Sequence, residues 1–151
     1  MTNADQHKAP RPTPLSRDQF RNFSTIPTRW MDVDIYGHVN NVQYLSFFDT
    51  AVNSWLVRQG LLDPANSPTV FLVVETGCHY FEELKFPEII DAGLKIEKIG
   101  SSSVIYSIGL FREGANTTAA LGRFVHVLVD RKERKPVTIC GPMQDKLSEL
   151  L

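Results

Sequence analysis

Cysteine is scarce in this chain. Cys78 and Cys140 are the only two, too few for a disulfide framework, and they point to a reducing cytoplasm as the compartment. No apolar run approaches the roughly 20 residues that span a bilayer, and the first residues lack the apolar core of a signal peptide, so no membrane association is expected. Neither sign of charge is in excess: 16 Lys and Arg face 17 Asp and Glu, for a net charge of −1. That balance provides no electrostatic footprint for gripping nucleic acid or an anionic lipid surface. Glycine-rich phosphate loops are missing, as are the G-x-S-x-G and C-x-x-C nucleophile patterns. His38 lies near Asp32 and Asp34 in sequence, but no further His or Cys cluster completes a ligand set, so no metal is expected.

What remains is an ordinary globular composition. Hydrophobic residues make up 42% of the 151 and charged residues 22%. A chain of this size forms one domain that buries about two thirds of its unfolded surface. Residues 1–19 are polar and dotted with Pro10, Pro12 and Pro14, which predicts a disordered N-terminal tail. The folded domain is expected over 20–142, followed by a short terminal helix or tail over 143–151.

The pattern of apolar residues sets the elements. Thr25 to Trp30 favours a strand, with Pro27 tolerable only at a start or an edge. Val42 to Gln59 reads as a long helix stopped by Gly60, with Leu45, Phe48, Val52, Trp55 and Leu56 on its apolar face. Beyond it come strands. Val70 to Val74 is an apolar run that extends toward Phe81. Leu94 to Ile99 alternates imperfectly, which suggests a bulge. Val104, Tyr106, Ile108 and Leu110 alternate cleanly, as do Leu121, Arg123, Val125, Val127 and Val129, and Arg112 to Asn116 reads as the hairpin between them. One strand, one long helix and four mainly antiparallel strands make an α+β domain, with the helix laid across a curved sheet. His79 and His126 fall in strands as packed or paired residues, and Cys78 as a core residue.

The densest chemistry lies between Arg29 and Asp49. Asp32 to Gly37 leaves the first strand, and Gly37 supplies backbone freedom for a sharp turn. Asn40 or Asn41 then caps the helix. Free N–H groups and a partial positive charge at a helix start attract a developing anion. A carboxylate within ten residues of such a site, such as Asp34, can attack a carbonyl or activate water against it. Asp32 before the turn suits capping of backbone amides. Asp49, at the edge of the apolar stripe, requires partners; it either bonds amides of the preceding loop or supports the site. His38 shapes the loop or touches substrate.

These residues resemble a known family. Arg29-Trp30-x-Asp32-x-Asp34-x-x-Gly37-His38-Val39-Asn40-Asn41-x-x-Tyr44, with the aromatic and acidic helix that follows, is similar to the signature of the hotdog fold's 4-hydroxybenzoyl-CoA thioesterase-like family. Ile99 to Ser103, Gly122 to Val127 and Val129-Asp130 resemble its later strands, so the likeness spans roughly 25–139. The resemblance implies a curved antiparallel five-stranded sheet wrapped around one long central helix. It implies hydrolysis of an acyl- or aryl-CoA thioester to a carboxylic acid and CoA, without a cofactor. Asp34 takes the catalytic position, as nucleophile or general base, and the N–H that polarises the carbonyl falls on or next to Asn41. Gly37, His38, Asn40 and Tyr44 fall at the loop and pocket mouth, with Asp32 and Asp49 in support. Subunits of this fold pair through their sheets, so a homodimer or homotetramer is expected. The basic run Arg131, Lys132, Arg134 and Lys135 is either a solvated loop or a CoA contact, and Arg123 a candidate interface residue. Two alternatives share the fold: a dehydratase or hydratase, which uses a His–Asp or His–Glu pair, and a non-catalytic acyl-CoA or acyl-carrier-protein binding module.

Overall fold

A computed structural model of the chain describes residues 9–151. A single turn of 3-10 helix, Arg17–Gln19, leads into β1 (Asn22–Pro27). A second such turn, Trp30–Asp32, precedes the long helix α1 (Asn41–Arg58). Then come β2 (Thr69–Tyr80), β3 (Ile89–Ile99), β4 (Ser103–Phe111), β5 (Ala120–Asp130) and a closing helix α2 (Gly141–Ser148). The strands form one five-stranded sheet in the order β1-β3-β4-β5-β2 with every pairing antiparallel. With α1 packed on the sheet, this is the hotdog fold. Pro27 ends β1, which is an edge strand as its proline requires.

Helix α1 begins and ends for local reasons. The Asn40 side chain accepts the Val42 N–H at 3.1 Å, as an N-cap should. At the other end Gly60 sits at φ 71°. There Leu61 N–H reaches the Leu56 carbonyl and Gly60 N–H the Val57 carbonyl, the paired bonds of a Schellman stop. The buried stripe is rotated from the expected one. Phe48, Val52, Trp55 and Leu56 are buried, joined by Tyr44, Phe47 and Ala51, whereas Leu45 lies at the flank, 36% exposed. Gly122 of β5 lets α1 lie close, because a Cβ there would come 2.6 Å from the Phe48 ring.

Two bulges shape the sheet. One, between Ile96 and Lys98 of β3, explains the broken alternation of Leu94 to Ile99. The other, between Val73 and Glu75 of β2, is hidden in sequence by an uninterrupted apolar run. Before it, Phe71 pairs with core residue Leu128; after it, Thr76, Cys78 and Tyr80 pair with Phe124, Gly122 and Ala120. The bulge therefore switches which alternate residues face the helix.

The N-terminal end departs from expectation. The disordered tail expected over 1–19 is too long: Leu15 and Thr118 exchange backbone and side-chain bonds, and Arg17 pairs with Asp91 at 2.9 Å. The Arg17 guanidinium also lies 4.7 Å from the centre of the Phe111 ring. Phe20 is buried on the sheet. Residues 1–8 lie outside the described residues. The C-terminal segment is an integral helix, with Leu147 and Leu150 buried and Ile96 N–H bonded to the Leu150 carbonyl at 2.7 Å. His126 is buried as a packed residue; His79 is exposed. No helix among the described residues is long and apolar enough to cross a membrane.

Candidate active site

The segment from Arg29 to Asn40 folds into a tight, self-bonded loop. Asp32, fully buried, accepts the Arg29 N–H at 2.7 Å and the Arg29 Nη2 at 2.9 Å, so it caps an amide as its position suggested. Its carbonyl takes the Asn40 N–H at 2.8 Å, which places the helix cap directly over it. Val33 and Val39 bridge across the loop. Asp34 N–H reaches the His38 carbonyl, and Gly37 N–H reaches the Asp34 carbonyl, each at 3.1 Å. Gly37 makes that closure at φ 85°, a conformation that a side chain disfavours.

This folding brings Asp34 and the start of α1 into one cleft of about 340 Å³, lined by Asp34, His38, Val39, Asn41, Tyr44 and Tyr80 and by Phe81, Glu82 and Glu83. One Asp34 oxygen accepts the Tyr36 N–H at 2.8 Å, which orients the carboxylate and leaves its second oxygen for other work. Asn40 takes the Val42 N–H with its side chain and the Gln43 N–H with its carbonyl. Neither bond uses the Asn41 N–H, which has no acceptor within the chain among the described residues. A free donor at a helix start is able to receive an oxyanion, and in enzymes that use one such bond is worth about 3–4 kcal/mol of barrier.

The cleft's other wall comes from the end of β2 and the loop after it. Tyr44 and Tyr80 meet edge to face at 4.8 Å between ring centres. The Tyr44 hydroxyl accepts the Leu84 N–H at 3.3 Å, and the Tyr80 hydroxyl donates to the Asn41 carbonyl at 3.3 Å. Burial raises the Tyr44 pKa. Burial of the phenol and the neighbouring Cys78 push Tyr80 up to about 12, and burial pushes the Cys78 thiol up to about 11. Cys78 therefore remains a thiol at neutral pH and no nucleophile. His38 Nε2 stands 3.5 Å from Glu83 Oε1. Among the described residues no group of three or more His, Cys, Asp and Glu is arranged to hold a metal ion.

Asp34, His38, Asn41 and Tyr44 are thus brought together, while Asp32, Gly37 and Asn40 build the loop beneath them. Asp49 is not part of this cleft. It is exposed on the outer side of α1, and its carboxylate bonds the Asn53 amide at 2.9 Å rather than the amides of the preceding loop. Tyr80, Glu82 and Glu83 were not anticipated. Arg123 pairs with Glu75 across two strands at 3.0 Å. Arg131 spends its guanidinium on the Ser67 and Pro64 carbonyls, so the run after β5 is a built turn outside the cleft lining.

Comparisons with known proteins show the family. The family model described as the thioesterase-like superfamily matches residues 28–147. The chain belongs to that superfamily. It is a thioester hydrolase. It is 23% identical over 127 residues to the long-chain acyl-CoA thioesterase FadM of Escherichia coli, covering 83% of this chain and 96% of FadM. The crystal structure of the PA5185 protein from Pseudomonas aeruginosa superposes with a TM-score of 0.88 at 46% identity, over 91% of this chain and 96% of that one. A 1,4-dihydroxy-2-naphthoyl-CoA thioesterase from Synechocystis shares the fold, with a TM-score of 0.76 at 18% identity over 85% of this chain and 96% of that one.

Proposed function

We propose that this thioesterase hydrolyses an acyl-CoA thioester to a carboxylic acid and free CoA, with Asp34 as the reacting carboxylate and the Asn41 N–H as the oxyanion donor. The observation that carries the reading is the cleft itself, where an oriented carboxylate and an unclaimed helix N–H face the same space. The thioester carbonyl oxygen lies against the Asn41 N–H and the acyl group against Tyr44, Tyr80 and Val39. Asp34 either attacks the carbonyl carbon to give a mixed anhydride that water then cleaves, or removes a proton from the attacking water. In both routes the oxyanion forms at the start of α1 and collapses with departure of the CoA thiolate. Water completes the balance, and no cofactor takes part. FadM and the Synechocystis enzyme are named for CoA thioesters, which supports CoA as the carrier.

A second copy of the chain completes the assembly in this reading. Edge strand β2 presents Leu72, Val73 and Val74 at 37%, 44% and 60% exposure, and Ile35 beside the cleft is 93% exposed. Pairing of two β2 edges into a homodimer, with or without further association to a homotetramer, would cover an edge that otherwise invites aggregation. The two unpaired thiols, Cys78 and Cys140, suit a reducing cytoplasm.

The test is thiol release over a panel of alkyl- and aryl-CoA thioesters, with wild type beside Asp34→Asn. The expected outcome is turnover that falls at least about 100-fold in the variant, roughly 2.7 kcal/mol of barrier. One feature supports a second reading: the His38–Glu83 pair is of the kind that hydratases use. A 2-enoyl-CoA in the panel that loses its double bond without releasing thiol would transfer the assignment to that chemistry.

A further inference from the structure

We propose that Tyr80 is a positioning residue of this site, its phenol fastening the first residue of α1 to the last residue of β2 so that the Asn41 N–H keeps its aim. This rests on the reading of Asn41 as the oxyanion donor.

Three observations converge on it. First, Tyr80 faces the helix only because β2 bulges between Val73 and Glu75. Phe71 and Val73 pair with Leu128 and His126, so regular alternation would bring His79 and Phe81 to the helix side; the extra residue brings Cys78 and Tyr80 there instead. Second, the Tyr80 ring is held in place edge to face on Tyr44, 4.8 Å between centres. Tyr44 lies one helical turn on from Asn41, so ring and hydroxyl grip the same turn of α1. Third, the hydroxyl donates to the Asn41 carbonyl at 3.3 Å. Only the φ and ψ rotations of Asn41 separate that carbonyl from the N–H offered to the substrate, so holding one limits the swing of the other. Catalytic donors have to be held to within a fraction of an ångström of the developing oxyanion, and small misplacements reduce rates well beyond the energy of the bond that held them.

The phenol remains a donor throughout the working range, because burial and the neighbouring Cys78 hold its pKa up at about 12. It therefore does not titrate in that range, and its loss should leave the shape of the pH–rate profile unchanged.

The experiment uses Tyr80→Phe, which keeps the ring on Tyr44 and deletes only the hydroxyl. On the best thioester of the panel, kcat is expected to fall about 5- to 10-fold with KM within about 2-fold of wild type. Tyr80→Ala, which also removes the ring, should lower kcat further. An unchanged kcat in Tyr80→Phe, or a rise in KM alone, would overturn the proposal, since either would make Tyr80 a binding contact or a bystander. If wild type turns over no thioester, the oxyanion reading fails and the clamp is judged by the backbone amide NMR signals of the whole chain. Shifted Asn41 and Val42 amides, with faster exchange at Val42, whose N–H the Asn40 side chain holds, support it in Tyr80→Phe; signals identical to wild type refute it.

Discussion

The two halves of β2, divided by its bulge, treat polar groups in opposite ways. At the far end, the hydroxyls of Tyr44 and Tyr80 both have partners, in the Leu84 N–H and the Asn41 carbonyl, and both border an open cleft. Near the start of β2, Phe71 stacks on His126 at 5.5 Å and Tyr106 meets the same imidazole at 5.3 Å. There the Tyr106 hydroxyl and both His126 nitrogens are buried with no hydrogen-bond partner among the described residues. Partnered polarity beside solvent suits the cleft proposed as the active site. Unpartnered polarity in the core serves no substrate and shows up in stability, since each such group costs about 1–3 kcal/mol to desolvate.

The largest stability effect expected from this contrast is a dependence on pH. Burial among Phe71, Tyr106 and Phe124 pushes the His126 pKa down to about 4, whereas an unfolded chain titrates it near 6.5. Between those values the unfolded state binds a proton that the folded state refuses. Stability is therefore fully present above about pH 6.5 and declines as pH falls toward 4, by about 3 kcal/mol in all. Urea midpoints at pH 7 and pH 4.5 measure it. His126→Leu should flatten the dependence across that window while leaving kcat at pH 7 unchanged, and a variant that loses activity would end the separation of the two halves.

A smaller effect tests the packing that both halves share. Gly122 lies at the pairing partner of Cys78, where α1 comes close. In Gly122→Ala the new Cβ would stand 2.6 Å from a Phe48 ring that is fully buried and has nowhere to move. Overpacking of this kind costs about 1–3 kcal/mol. A fall in the thermal midpoint, with kcat reduced only in proportion to the folded fraction, is the expected outcome; unchanged stability would mean that α1 lifts freely from the sheet.

The contrast also explains what was legible in the sequence. Asp34, Gly37, Asn40 and Asn41 lie within one short segment, so a turn, a cap and a free helix N–H could be read from local rules alone. One strand, one long helix and four strands were legible from alternation in β4 and β5 and from the helical period of the 18-residue α1. The hotdog fold was implied only by the resemblance of Arg29 to Asp49 to a known family. Tyr80, Glu82 and Glu83 were invisible because their place in the cleft depends on a bulge some six residues upstream, inside an apolar run that shows no broken alternation. Leu45 and Asp49 were misplaced by the same limit. Periodicity finds an apolar stripe but not its rotation, which here follows the bulky Tyr44 and Phe47 toward the sheet. Prolines suggested a tail as far as residue 19, yet Leu15 and Arg17 find partners 70 or more residues away.

The smallest predicted effects put the two kinds of tyrosine side by side. Tyr44→Phe removes the acceptor of the Leu84 N–H and leaves that buried amide unpaired, a loss of about 1 kcal/mol or somewhat more. Tyr106→Phe removes a hydroxyl that has no partner to lose. The phenyl ring retains the packing against His126 while shedding a desolvated polar group, so this variant should be neutral or slightly more stable than wild type. The same one-atom deletion thus carries opposite signs beside the cleft and in the core. Chemical denaturation of both variants at pH 7, where His126 is largely neutral in either state, decides the matter. A Tyr106→Phe chain that loses as much stability as Tyr44→Phe would show that the core hydroxyl is satisfied, by an ordered water shared with His126, and that the two halves of the strand obey one rule.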